Sequence, residues 1–118
     1  VGALLTTLGG FDRTLVLDEI DAGIGGQAAA AVGRKLQRLG DHYQVLCVTH
    51  LAQIACFAAH HLRVEKSEHQ GRTRTQVEEL AGKDRIAEIA RMLAGDADAP
   101  TALRHARELL QTSRAAGA

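Results

Sequence analysis

Two short apolar runs, each stopped abruptly by polar residues able to do chemistry, constrain this chain more than anything else in it. Thr14-Leu15-Val16-Leu17 runs into Asp18-Glu19, and Gln44-Val45-Leu46-Cys47-Val48-Thr49 runs into His50. Continuous apolar runs of this length suit strands buried on both faces, as in a parallel sheet. Between them, from Gln27 to about Leu39, Ala30, Val32, Leu36 and Leu39 recur at helical spacing, and Gly40 closes the segment. Strand, helix and strand together take roughly 35 residues, the length of a βαβ crossover. The fold class expected is therefore α/β.

The flanks fill in the rest. Residues 2–8 are apolar and read as helix, ended by Gly9-Gly10. Because the chain starts at Val1 on what looks like a helix interior, an amino-terminal portion is expected upstream. A short helix is expected at about 51–59. Polar, alternating runs at about 61–67 and 72–79, turning near Gln70-Gly71, read as an antiparallel hairpin. Ile86, Ile89, Ala90 and Leu93 mark a helix that Gly95 stops. Asp98 can cap a last helix at about 99–114, with Pro100 in its tolerant first turn. No linker divides the 118 residues, so they are read as one partial domain.

Composition narrows the function classes. Fourteen basic residues balance fourteen acidic ones, so net charge argues for neither nucleic acid nor membrane as a partner of this stretch. No apolar run approaches the length of a membrane span, and no leader-like segment is present, which points to the cytoplasm. Cys47 and Cys56 lie in apolar runs without metal-type spacing and read as buried, reduced residues.

Three places carry candidate chemistry. Acids at the carboxyl end of a parallel strand stand where ligands of open α/β sheets bind. There Asp18 can hold a nucleotide-bound Mg²⁺ through water, and Glu19 can activate the water that attacks a γ-phosphate. The same two acids can equally cap a loop or a helix start. His50 can donate a hydrogen bond to a phosphate oxygen, or cap the helix beginning at Leu51. In Asp21-Ala22-Gly23-Ile24-Gly25-Gly26, glycines this dense mean a tight turn or close approach by another backbone or a ligand. No Gly-x-x-x-x-Gly-Lys-Ser/Thr occurs, so the chain has no phosphate-cradling loop of its own. His60 and His61, adjacent on a strand, must point to opposite faces. Lys66, Arg72 and Arg74 make the hairpin mildly basic, and the reading favoured for them is a solvated face.

In combination these motifs resemble the RecN family of bacterial DNA-repair proteins, which are SMC-like ABC ATPases. Thr14 to Glu19 resembles the Walker B strand with its catalytic acid. Asp21-Ala22-Gly23-Ile24-Gly25-Gly26 resembles the D-loop, and Val48-Thr49-His50-Leu51-Ala52-Gln53-Ile54-Ala55 the switch-His loop. Val64-Glu65-Lys66, Gly71-Arg72-Thr73 and the segment Arg85 to Gly95 resemble the family's carboxy terminus. Val1 to Leu8 resembles the helix after the signature motif.

The resemblance implies the carboxy-terminal lobe of an ABC-type ATPase head, with ATP and Mg²⁺ as cofactors. Asp18 would then serve the metal, Glu19 would be the general base, and His50 would contact the γ-phosphate. Asp21, Ala22, Gly23, Ile24 and Gly25 would lie near the nucleotide across a homodimer of heads. In many ABC ATPases an Asp stands where Gly25 is here, which leaves any coupling role of that Asp in doubt. The implied partners are an amino-terminal lobe with the P-loop and, through the full-length protein, DNA. The implied setting is the bacterial cytoplasm at the nucleoid, in repair of double-strand breaks. Another SMC or ABC ATPase, or a non-enzymatic α/β interaction module, is the alternative.

Overall fold

The computed structural model describes residues 2–6, 14–18, 23–95 and 99–117. In chain order the elements are β1 (Gly2–Thr6), β2 (Thr14–Asp18), α1 (Gly26–Leu39), β3 (Gln44–Thr49) and α2 (Ala52–Ala55). They continue with β4 (His60–His69), β5 (Arg72–Leu80), α3 (Gly82–Ala94) and α4 (Pro100–Gly117). One five-stranded sheet runs in the order β2-β3-β1-β4-β5. The expected crossover is present: β2 and β3 pair in parallel with α1 between them in sequence, Thr14 opposite Gln44 and Asp18 opposite Val48. The expected hairpin is present as well, β4 pairing antiparallel with β5 from His61↔Leu80 to His69↔Arg72.

Two expectations are corrected. Residues 2–8 were expected as helix, but Gly2–Thr6 is a strand. It pairs antiparallel with β3 on one side and β4 on the other, so both of its edges are used. Five residues held between two neighbours gain ladder bonds that one isolated helical turn cannot match, because a short helix pays the full nucleation cost. Nor is β2 buried on both faces. It lies at the sheet edge with β3 as its one neighbour among the described residues, and Val16 is 68% exposed.

The core lies where α1, α2, α3 and α4 come together against β3. Ala29, Cys47, Ile54, Ile89, Ala106 and Leu110 belong to one buried cluster. The inward face of α1 runs through Ala29, Val32, Gly33 and Leu36, slightly rotated from the face expected, so Leu39 is left partly exposed. At the crossing of α1 and α2 a side chain on Gly33 would come within 2.4 Å of the Phe57 ring. Here the glycine serves close helix approach, which outweighs its cost within a helix of about 1 kcal/mol. Helix α3 contributes Ile89 and Ala90, both fully buried, and α4 contributes Ala102, Ala106 and Leu110 at spacings of four. Gly95 ends α3 in the left-handed conformation, φ 74°, as the sequence suggests.

Helix α2 is shorter than the expected 51–59. After Ala55 the chain tightens into i→i−3 bonds, Phe57 N–H to Ile54 O and Ala58 N–H to Ala55 O. The Arg85 guanidinium donates to the carbonyls of Ala58, at 2.6 Å, and Ala55, at 3.4 Å. A side chain from α3 thus satisfies groups at the end of α2 that a longer helix would have bonded internally.

Candidate nucleotide site at the sheet edge

The parallel register of β2 and β3 brings their carboxyl ends to one edge. Asp18 stands opposite Val48, two residues before His50, and both Asp18 and His50 are exposed there. Thr49, the last residue of β3, is buried, and its hydroxyl accepts a hydrogen bond from the Leu51 N–H at 3.1 Å. That bond turns the chain sharply out of the sheet and leaves His50 at the corner. Leu51 is the N-cap residue of α2 and no side chain caps that helix, so the corner is shaped by Thr49. The sequence gives Thr49 no partner for nucleophilic chemistry, and its place in the corner was not foreseen. Its signal was a Thr two residues before a helix start.

Of the glycine-rich segment, Gly23 to Gly26 are described, and Gly26 opens α1. Gly23 has φ 77°, a conformation that excludes most side chains. Ile24 packs its side chain against the core cluster, so any contact it makes outward falls to its backbone. Gly25 is the N-cap of α1, and its carbonyl accepts from the Ala29 N–H at 2.9 Å. A side chain on Gly25 would meet nothing within 4 Å, and its φ of −89° does not demand glycine. Among the described residues, therefore, nothing accounts for a glycine at that position. Glu19, Asp21 and Ala22 lie outside the described residues.

A second polar cluster, which the sequence did not reveal, ties α3 to the sheet. Glu88 is buried, 4% exposed, and accepts from Arg91 Nε at 3.0 Å through both carboxylate oxygens and from Arg91 Nη2 through Oε1. Arg63 reaches the same carboxylate at 3.8 Å and pairs with Glu78 at 2.7 Å. The hydrogen bond that Arg91 donates to Glu88 holds its guanidinium charged still more firmly than usual. Neighbouring histidines separate as strand alternation requires: His60 pairs with Glu79 at 3.0 Å, whereas His61 is fully buried and, among the described residues, neither ring nitrogen has a hydrogen-bond partner. Burial, then the charge of Arg85, pulls the His61 pKa down to about 4. Cys47 and Cys56 are buried and in no disulfide among the described residues, in keeping with the sequence reading, and burial raises Cys56 to about 11. No helix among the described residues is long and apolar enough to cross a membrane.

No protein-family model matches the chain. Individual proteins do. The DNA repair protein RecN of Deinococcus radiodurans is 56% identical over 108 residues, which is 92% of this chain and 19% of that protein. RecN of Streptomyces coelicolor is 51% identical over 102 residues, 86% of this chain and 18% of that protein. RecN of Treponema pallidum is 49% identical over 111 residues, 92% of this chain and 19% of that protein. Along about nine tenths of its length the chain thus matches a segment of the RecN DNA-repair family, and it spans about a fifth of the length of these relatives.

Proposed function

We propose that this chain is the carboxy-terminal part of an ATPase head of the SMC-like type, acting in the repair of DNA double-strand breaks. The observation that carries the reading is the meeting of Asp18 and His50 at the carboxyl ends of two adjacent parallel strands, the edge where α/β sheets take their ligands. The RecN relatives, whose printed name is DNA repair protein, support the biological setting.

The chemistry assigned to each residue follows from its type and place. ATP with Mg²⁺ supplies the reactive phosphoanhydride and the charge that offsets its oxygens. Asp18, a hard oxygen ligand exposed at the edge, serves the cation through water. Glu19, the next residue, orients the attacking water and takes its proton. His50 donates a hydrogen bond to the terminal phosphate, and the buried Thr49 keeps the corner that presents it in shape. The segment from Asp21 to Gly25 borders the nucleotide and faces a second head, which is the use proposed for Gly25. No P-loop sequence stands in the 118 residues, so an amino-terminal lobe must supply it. In this proposal DNA is engaged by the full-length protein, working as a head dimer at the nucleoid of a bacterial cytoplasm.

The test is Glu19→Gln in the complete protein. It is expected to keep ATP binding, lower kcat by about 100-fold or more, and accumulate closed dimers in ATP, because the base is lost while the binding surface stays. Turnover near the parent rate would remove Glu19 from the chemistry and the ATPase reading of this edge with it.

A further inference from the structure

A second region of the molecule has the makings of a ligand site and plays no part in the reading above. A cavity of about 540 Å³ opens between the end of α1, the turn after α2 and the last turns of α4. Its walls include Gln37, Phe57, Arg85, Leu110, Ser113 and Arg114. Helix α1 is 14 residues long, about 20 Å, and Gln37 lies toward the end remote from Gly25 and the sheet edge.

The charges in this cavity are not balanced. Arg85 gives Nη2 to the carbonyls of Ala58 and Ala55, while its Nε is buried with no hydrogen-bond partner among the described residues. Among the described residues neither Arg85 nor Arg114 forms an ion pair. Among the described residues Asp41, exposed, is the one carboxylate on the cavity wall, against two guanidinium groups. Burial, then the charge of Arg114, makes the protonated form of Arg85 harder to keep. A half-buried guanidinium beside a second one is costly unless an anion meets the pair.

The other walls are ready for such a guest. The Gln37 amide donates to Ser113 O at 3.0 Å, and the buried Ser113 hydroxyl donates to Cys56 O at 2.7 Å. These bonds fasten α1 and the end of α2 to α4 and hold the cavity open without using either arginine.

We propose that this cavity is a binding site for a phosphomonoester, held by the guanidinium groups of Arg85 and Arg114. Guanidinium forks suit tetrahedral oxyanions, and the near-double charge of a phosphomonoester at neutral pH matches two arginines better than one carboxylate would. The space greatly exceeds a bare phosphate and falls in the range of small-molecule sites, so the phosphate arrives on a larger body. A free nucleotide and the 5′-phosphorylated end of a DNA strand both offer this chemistry.

The test is hydrogen exchange by mass spectrometry on the complete protein, which separates this cavity from the sheet edge peptide by peptide. Inorganic phosphate, adenosine monophosphate, and a short oligonucleotide with or without a 5′-phosphate are compared with chloride at equal ionic strength. Phosphate is expected to slow exchange in peptides covering 55–60 and 110–115. Arg114→Gln, a change at an exposed position, is expected to weaken that protection by about 10-fold or more, and Arg114→Lys to retain part of it. Stronger protection by the monophosphate names a free nucleotide as the source. Stronger protection by the phosphorylated oligonucleotide over its unphosphorylated twin names a strand end. Equal protection by phosphate and chloride, or protection indifferent to Arg114→Gln, overturns the proposal.

Discussion

At neutral pH the His61 ring is uncharged, and the reason lies in its surroundings. It is fully buried, and Arg85, Arg63 and Arg91 all oppose a further positive charge while Glu88 favours one. Its pKa is about 4 in the folded protein against 6.5 as the ordinary value. Between those values the unfolded chain binds the extra proton and the folded chain does not, so stability falls as the pH drops from 6.5 towards 4. Above 6.5 this contribution is complete. Urea unfolding at pH 7 and pH 4.5 should show a loss on the order of 2 kcal/mol from this residue, absent in His61→Leu. An equal loss in both proteins would mean that other groups set the acid limit.

Among the elements, the contact of α1 with α2 depends on a missing side chain. Gly33 lets the Phe57 ring and the Gln53 carbonyl approach to distances a methyl group would occupy. Gly33→Ala gains up to about 1 kcal/mol of helix propensity but has to displace an aromatic ring, and overpacking of this kind costs about 1–3 kcal/mol. The expected net result is destabilisation, read as a lower urea midpoint with unchanged slope; a midpoint that rises would show that the ring moves aside freely. The β4–β5 ribbon depends instead on its turn. Gln70 and Gly71 both have positive φ, 52° and 75°, between the paired His69 and Arg72, which is the twist a two-residue hairpin loop needs. Gln70-Gly71 was readable as a turn because Gly is the residue that meets this demand. The role of Gly33 was not readable, because the ring it accommodates lies 24 positions further along the chain.

For the molecule as a whole, the function proposed makes the sheet edge half of a site. Strand β2 has a neighbour on one side, and the 68% exposure of Val16 leaves an apolar residue in water at the sheet margin. With no phosphate-cradling loop in the 118 residues, triphosphate has few donors to hold it here. Calorimetry on the 118-residue chain alone should find ATP binding weaker than about 1 mM. Micromolar binding would mean that the phosphates find donors the sequence does not show.

The sequence by itself determined what depends on near neighbours. The strand–helix–strand unit, the Gln70-Gly71 hairpin and the Gly95 stop follow from spacing and from backbone preferences of one or two residues. That Asp18 and His50 stand at the same sheet edge was legible too, because two short apolar strands joined by a helix leave little choice but a parallel pair. Only the tertiary structure decided what depends on distant partners. Gly2–Thr6 is a strand because β3 and β4 take its backbone groups from both sides. Thr49 became a corner, Glu88 a buried anion and Arg85 a cation facing a cavity through contacts that no local pattern encodes. Hydrogen bonds within a turn or a helix are written in adjacent residues, whereas desolvation and charge balance exist only once remote segments have closed around a side chain.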